Sequence, residues 1–114
     1  MSGIPDIIEY MENELVFSAL AHPVRRRVIL LLLDCDRTAG AIAQEFEISR
    51  SAVSEHLGVL RQANLVRETK SGRERVYSLN AKPLTEIRNW LEPFETYWKV
   101  QLVRLAQQLE EDAE

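Results

Sequence analysis

The side chains of greatest chemical interest are polar groups that recur at helical spacing just beyond the middle of the chain. In a helix with Val53 turned inward, an advance of about 100° per residue turns Ser51 and Glu55 outward. Ser54 and Arg61 flank the same face. Such a face is short of Lys–Glu pairs, which is unusual for a helix that meets only solvent. Ser and Arg can reach phosphates or base edges in a major groove about 12 Å wide, and Glu can accept from a cytosine amino group.

The residues just before this face predict a second helix that would hold it in place. Thr38 is positioned to cap a helix that runs to Phe46, and Ser49 is positioned to cap the outward-facing helix. Ile48 would fill the angle between the two. Residues 38–63 therefore predict a helix-turn-helix. Because Glu47 occupies a turn position where Gly is common, and Glu tolerates positive φ poorly, we expect a loose turn.

A basic hairpin is predicted directly behind the helix-turn-helix. Alternating runs cover residues 65–70 and 74–79, and a Gly-containing link, Ser71 to Arg73, joins them. A charged hairpin tip alone is usually solvated surface, but in this position it indicates a wing that binds phosphate beside the helix. The tip carries Lys70, Arg73 and Arg75.

Three features near the predicted interface each have two interpretations. His56 borders the core stripe and is either a packed, hydrogen-bonded residue, which we favour, or a phosphate contact. The arginines at 25–27 are either solvated or paired with the acidic first helix, or they contact phosphate. We favour the first of these interpretations. Gly58 costs roughly 1 kcal/mol relative to Ala inside a helix. It indicates close approach of DNA or a neighbouring helix, or else simple tolerance.

Both ends of the chain predict association surfaces. Asp6 to Ala21 has a helical apolar pattern, and Pro23 begins a second helix whose run to Leu33 is so apolar that we expect burial on most sides. Pro83 begins a helix to about Glu111, roughly 40 Å long, with an apolar stripe wider than one small domain needs. Pro93 should kink or divide this helix. We expect a homodimer, with an intramolecular fold-back of the last helix as the alternative. The predicted dimer contacts are Ile8, Met11, Leu15, Leu91, Phe94, Trp98, Leu102 and Leu105.

Charge and composition agree with DNA binding by the middle of the chain and association by its ends. The 114 residues suit one domain with a net charge of −4, and residues 1–21 carry −4, residues 22–76 carry +3 and residues 77–114 carry −3. A basic middle between acidic ends predicts nucleic-acid binding by the middle and association by the ends. A single cysteine, no apolar run long enough to span a bilayer and no signal-peptide pattern predict a cytoplasmic protein without membrane contact.

Three separated motifs resemble one family of bacterial repressors. The runs Ala19 to Ile29, Ile48 to Arg61 and Leu65-Val66 with Tyr77-Ser78-Leu79 are similar to the ArsR/SmtB family. The pattern from Trp90 to Trp98 resembles its autorepressor-type branch. The resemblance implies a homodimer, built by the first and last helices, that represses from a palindromic operator. It places Arg50, Ser51, Ser54 and Glu55 at DNA-contacting positions.

The ligands of the family's metal sensors are not present at the corresponding positions. Thr38 and Gly40 lie where the family's Cys-x-Cys site falls, and no His follows His56. Cys35 is the single cysteine and lies between two aspartates, whose carboxylates discourage thiolate chemistry. Metal sensing and a Cys35 redox switch are therefore minor alternatives. We therefore predict no metal and no cofactor, and any small-molecule effector is unknown. Phosphate-binding loops and nucleophile motifs of enzymes are also absent from the sequence, which predicts a non-enzymatic protein.

Together these features predict a mostly α fold with a small β-hairpin, a winged helix-turn-helix over residues 1–114. Residues 1–21 and 83–112 would form dimerisation helices, 38–63 the helix-turn-helix and 65–79 the wing. The predicted function is sequence-specific repression by a homodimer on a palindromic operator, including its own promoter. The alternative is a winged-helix module for protein interaction or assembly. The residues predicted to contact double-stranded DNA are Thr38, Ser49, Arg50, Ser51, Ser54, Glu55, His56, Arg61, Lys70, Arg73 and Arg75.

Overall fold

A computed structural model describes residues 7–113 and confirms the mostly α winged helix-turn-helix fold. The α1 side chains at positions 8, 9, 10 and 12 fall outside the described part, and so does the predicted dimer contact Ile8. None of the helices between residues 7 and 113 is long and apolar enough to cross a membrane. The elements in chain order are α1 (Ile7–Leu20), α2 (Pro23–Asp34), β1 (Arg37–Thr38), α3 (Ala39–Ala43), α4 (Arg50–Gln62), β2 (Val66–Ser71), β3 (Glu74–Leu79) and α5 (Leu84–Ala113).

The helix-turn-helix begins as predicted, but its first helix is shorter. Thr38 caps α3, which ends at Ala43 and not at Phe46. Beyond that point the backbone makes tighter i→i−3 hydrogen bonds, among them Phe46 N to Ala43 O at 3.2 Å, and these end the α-helix. Glu47 does not require the left-handed conformation, because Asn64 (φ 61°) is the non-glycine residue with positive φ in the described chain. The composition of the turn therefore imposes no strain there.

The core lies where α1, α2, α3 and α4 meet the sheet. Its largest fully buried side chains are Ile42, Leu57, Leu60, Leu65 and Val28. The apolar run of α2 is less enclosed than predicted, because Leu30 and Leu33 remain exposed on one edge of the helix. Burial of the α4 stripe fixes the rotation of that helix, so its polar face must point outward.

The wing is part of a three-stranded antiparallel sheet in the order β1-β3-β2. The short strand β1 was not predicted, and it pairs Arg37 with Tyr77 and Thr38 with Val76. The β2–β3 link has two residues and not three, since Ser71 pairs with Glu74. Gly72 has φ 65°, which suits the first central position of a type II′ turn.

Helix α5 projects from this body. It is continuous through Pro93, so of the predicted kink or division the division is wrong and the kink stays a prediction. The helix contains no buried residue among those described. Leu84 and Ile87 pack against the core and Trp90 lies edge-on to Phe17, with ring centroids 6.0 Å apart. The radius of gyration is 19.4 Å, well above the roughly 13 Å of a compact domain of this length. The fold-back alternative is therefore wrong beyond the first turns of α5.

Candidate nucleic-acid interface

Helix α4 presents the predicted polar face to solvent. Ser49 Oγ accepts a hydrogen bond from Ala52 N at 3.1 Å and starts the helix. Val53 and the two leucines that follow at helical spacing are buried. Ser51, Ser54 and Glu55 are all exposed on the other side. Sequence periodicity therefore gave the correct orientation of this helix, and its small polar groups can approach base edges.

Four of the predicted DNA contacts line one groove of about 380 Å³ between α3, the start of α4 and the wing tip: Thr38, Arg50, Arg73 and Arg75. The Arg50 guanidinium lies over the first turn of α3, where a Cβ added to Gly40 would be 3.8 Å from Arg50 Nη2. Thr38 Oγ1 accepts from Ala41 N at 3.1 Å, which leaves its hydroxyl hydrogen free to donate. Glu74 lines the same groove, so its charged lining is three arginines and one carboxylate, an excess of positive charge that can bind phosphate oxygens.

The basic residues of the hairpin differ in what they contact. Lys70 and Arg73 are exposed and form no ion pair within the described chain. Arg75 Nη1 lies 2.5 Å from Glu68 Oε1 and is therefore engaged. Of the three basic residues near the tip, Lys70 and Arg73 are therefore more available to a phosphate than Arg75.

The Glu68 carboxylate accepts hydrogen bonds from three side chains that belong to two elements. Its Oε2 accepts from Arg61 Nη1 of α4 at 2.8 Å and from the Tyr77 hydroxyl, while Oε1 accepts from Arg75. The Tyr77 hydrogen bond and then Arg75 hold the pKa of Glu68 below its usual range, against partial desolvation. Burial, followed by the Glu68 carboxylate, raises the pKa of Tyr77 to about 12. At neutral pH the cluster therefore contains an ionised Glu68, a neutral Tyr77 and two arginines.

His56 is a partly buried residue with contacts inside the chain. Its ring centroid is 4.3 Å from that of His22, and Arg25 Nη1 lies 3.1 Å from His56 Nδ1. Burial, then His22 and Arg25, lower the pKa of His56. A neutral ring with Nδ1 unprotonated can accept from Arg25. These contacts are those expected if His56 is a packed, hydrogen-bonded residue.

The arginines at the start of α2 bind backbone carbonyls, which the sequence analysis did not predict. Arg25 Nε donates to Ala19 O at 2.6 Å and Arg26 Nη1 donates to Leu20 O at 2.8 Å. The last carbonyls of a helix have no partner within it and carry partial negative charge, so a guanidinium is a suitable cap. Arg26 and Arg27 are also exposed, as the solvated interpretation expects. Of the acidic side chains of α1 that could pair with them, Glu9 and Glu12 lie outside the described part of the chain.

Gly58 has no neighbour in the described chain that explains it. A Cβ added there would meet nothing within 4 Å. Close packing of another helix of the same protomer is therefore excluded as the reason for glycine. Approach of DNA and simple tolerance remain.

Two further charged residues were missed. Arg37 donates to Asp34 Oδ2 at 3.3 Å and to the Leu31 carbonyl at 3.2 Å, which fixes the connection between α2 and the sheet. Glu68 was missed because the predicted three-residue hairpin link shifts the register by one. With the observed link, Glu68 lies opposite Tyr77. The Ser71-Gly72-Arg73-Glu74 turn was the signal that could have revealed it.

Comparisons with known proteins agree on one family. A family model described as bacterial regulatory protein, arsR family, matches residues 22–68. The transcriptional repressor SdpR of Bacillus subtilis is 41% identical over 76 residues, which cover 67% of this chain and 84% of that protein. The HTH-type transcriptional regulator Rv2034 of Mycobacterium tuberculosis is 32% identical over 105 residues, which cover 92% and 95%. The crystal structure of an ArsR family transcriptional regulator, RHA00566, aligns with a TM-score of 0.72 at 26% identity, covering 87% of this chain and 97% of that one.

Proposed function

Because this chain belongs to the ArsR family of bacterial regulators and is a DNA-binding transcriptional regulator without enzymatic activity, we propose that it is a homodimeric repressor of a palindromic operator, including its own promoter. The observation that carries DNA binding is the groove lined by Arg50, at the start of the polar face of α4, and by Arg73 and Arg75 of the wing. Similarity to a relative named as a repressor favours repression over activation. Its DNA target places its action in the cytoplasm.

The predicted contacts divide into three groups on structural grounds. Ser51, Ser54 and Glu55 are exposed on α4 and would read base edges. Arg50, Lys70 and Arg73 would bind phosphates. Several of the other predicted contacts have intramolecular roles that limit their freedom: Thr38 and Ser49 as helix caps, His56 beside Arg25, and Arg61 and Arg75 on Glu68.

Exposed apolar side chains support the homodimer. A single protomer leaves large hydrophobic residues of α1 and α5 in solvent, more than isolated surface residues would explain. A two-fold axis through this surface would cover it and place two α4 helices about 34 Å apart, in successive major grooves. Leu91 is half-buried already, and the other predicted dimer contacts with described side chains are exposed: Met11, Leu15, Phe94, Trp98, Leu102 and Leu105.

Fluorescence anisotropy on DNA from upstream of the protein's own gene tests the proposal. The purified protein is titrated against this DNA and against a scrambled duplex at two salt concentrations. We expect tighter binding to the upstream DNA and weakening of both complexes with salt, because phosphate contacts release counterions. Equal binding to both duplexes would contradict autoregulation. Salt-insensitive association with a protein in place of DNA would favour the interaction-module alternative.

A further inference from the structure

We propose that Glu68 is a positioning residue for DNA selectivity. Its carboxylate holds one arginine of the recognition helix, Arg61, and one of the wing, Arg75, so that both meet phosphates at fixed positions. This inference rests on the proposed DNA-binding function and assigns a role to a residue that does not itself touch DNA.

In this cluster the carboxylate is largely covered and the two arginines are exposed. The Glu68 side chain is 17% exposed, whereas those of Arg61 and Arg75 are 52% and 62% exposed. Tyr77 lies directly opposite Glu68 in the sheet and donates its hydroxyl to the carboxylate. The strand and this hydrogen bond fix the anion, and the anion in turn restricts the two guanidinium groups.

Each arginine keeps donors for a second anion. A guanidinium carries five N–H donors in a rigid planar fork. Arg61 and Arg75 each use Nη1 to reach Glu68, and the described part of the chain shows no other hydrogen bond from either side chain. A phosphate can therefore bind the remaining edge of either guanidinium while the ion pair to Glu68 persists.

Restriction of these arginines should lower the affinity for random DNA more than the affinity for the preferred site. An unrestricted arginine can follow phosphates in any register, so it stabilises specific and random complexes alike. A tethered arginine contributes fully only when the duplex places a phosphate where the fork already points. Glu68 also offsets one of the two positive charges, which lowers the sequence-independent electrostatic attraction to all DNA.

The variant Glu68→Gln separates these effects from folding. Glutamine keeps an acceptor for the Tyr77 hydroxyl but loses the charge that holds the arginines. One additional phosphate contact steepens the dependence of log affinity on log salt by about 0.9. Between about 1 M and 0.1 M salt, such a contact therefore raises the affinity by roughly eightfold more. We expect up to this gain per protomer on scrambled DNA, a smaller gain on the preferred site and hence a lower ratio between the two.

Two matched variants isolate position from charge. Glu74→Gln removes the same charge from the same hairpin at an exposed residue that lines the groove with Arg50 and Arg73 but forms no ion pair within the described chain. It should therefore strengthen binding to both DNAs alike. It should leave the selectivity ratio unchanged. Arg75→Lys keeps the charge but loses the planar fork, so it should lower selectivity without changing the salt slope.

The experiment uses the full chain and needs no known operator. A preferred site is enriched from a randomised duplex library with the wild-type protein, and dissociation constants of all four proteins are measured on that site and on scrambled DNA at two salt concentrations. Selectivity lost in Glu68→Gln and Arg75→Lys but kept in Glu74→Gln supports the proposal. Equal selectivity in Glu68→Gln and Glu74→Gln overturns it while leaving the DNA-binding function intact. Enrichment of no site by the wild-type protein overturns both.

Discussion

Replacing Leu102 by Glu should separate the protomers without unfolding them. Leu102 is 65% exposed on α5, and no described residue of this helix is buried in the protomer. Complete burial of a Leu side chain contributes about 1.5–3 kcal/mol, so covering the exposed two-thirds would contribute roughly 1–2 kcal/mol. Two-fold symmetry doubles this to about 2–4 kcal/mol, or roughly 30- to 1,000-fold in the dimer dissociation constant. Desolvation of the new carboxylate would add to the loss.

Sedimentation equilibrium over a range of protein concentrations measures the effect, and far-UV circular dichroism checks the fold. Gln107→Glu is the matched control, since it adds the same charge to an exposed position of the same helix. Five residues beyond Leu102, it lies about 140° around the helix, on the opposite side from Leu102 and Leu105. We expect monomers for Leu102→Glu and dimers for Gln107→Glu. The same dimer dissociation constant in Leu102→Glu and the wild-type protein would refute the assignment of this stripe to the interface.

Three further predictions concern α4. Replacing Ser54 or Glu55 by Ala should change the operator sequence that a randomised library enriches, and an unchanged sequence would remove them from the base-reading residues. Gly58→Ala should raise the free energy of unfolding by up to about 1 kcal/mol, since an added Cβ meets nothing within 4 Å. Weaker operator binding by this stabilised variant would mean that DNA approaches the backbone there, and unchanged binding would mean simple tolerance. Because the pKa of His56 is lowered by burial from the ordinary 6.5, the unfolded chain binds its proton first and stability falls as the pH drops through 6.5. Chemical denaturation of His56→Gln should lack this part of the decline, and identical pH profiles for the two proteins would contradict it.

The elements that could be predicted from the sequence are those whose signals are local. Ser49 and Pro23 mark helix starts by the chemistry of their own positions, and the stripe of α4 fixes which side of the helix is buried. The end of α3 was placed three residues too late because Phe46 kept helical spacing after the backbone had tightened. Burial of an apolar side chain does not distinguish a helix from the turn that follows it.

The parts that could not be predicted depend on pairing between distant segments. Strand β1 is two residues long and gains its identity only from β3, so no local pattern marks it. The Glu68 cluster requires the hairpin register, and an error of one residue moves each side chain to face a different partner. The arginines of α2 were expected to be solvated or paired with acidic side chains. Their hydrogen bonds to backbone carbonyls were not predicted, because sequence shows charges but not the unpaired carbonyls at the end of a neighbouring helix.

In the homodimer that we propose, the weak positive charge of the central segment would make dimerisation part of DNA recognition. With a net charge of +3 over residues 22–76 and −4 over the whole chain, one protomer has little general attraction for DNA. For the second protomer of the proposed dimer, binding to the same duplex would be an intramolecular step, so the affinity for a palindrome would rise much more than that for random sequence. Glu68, which neutralises part of the wing, would act in the same direction. Leu102→Glu should therefore weaken binding to the enriched palindrome far more than binding to scrambled DNA, whereas Glu68→Gln should strengthen binding to scrambled DNA most.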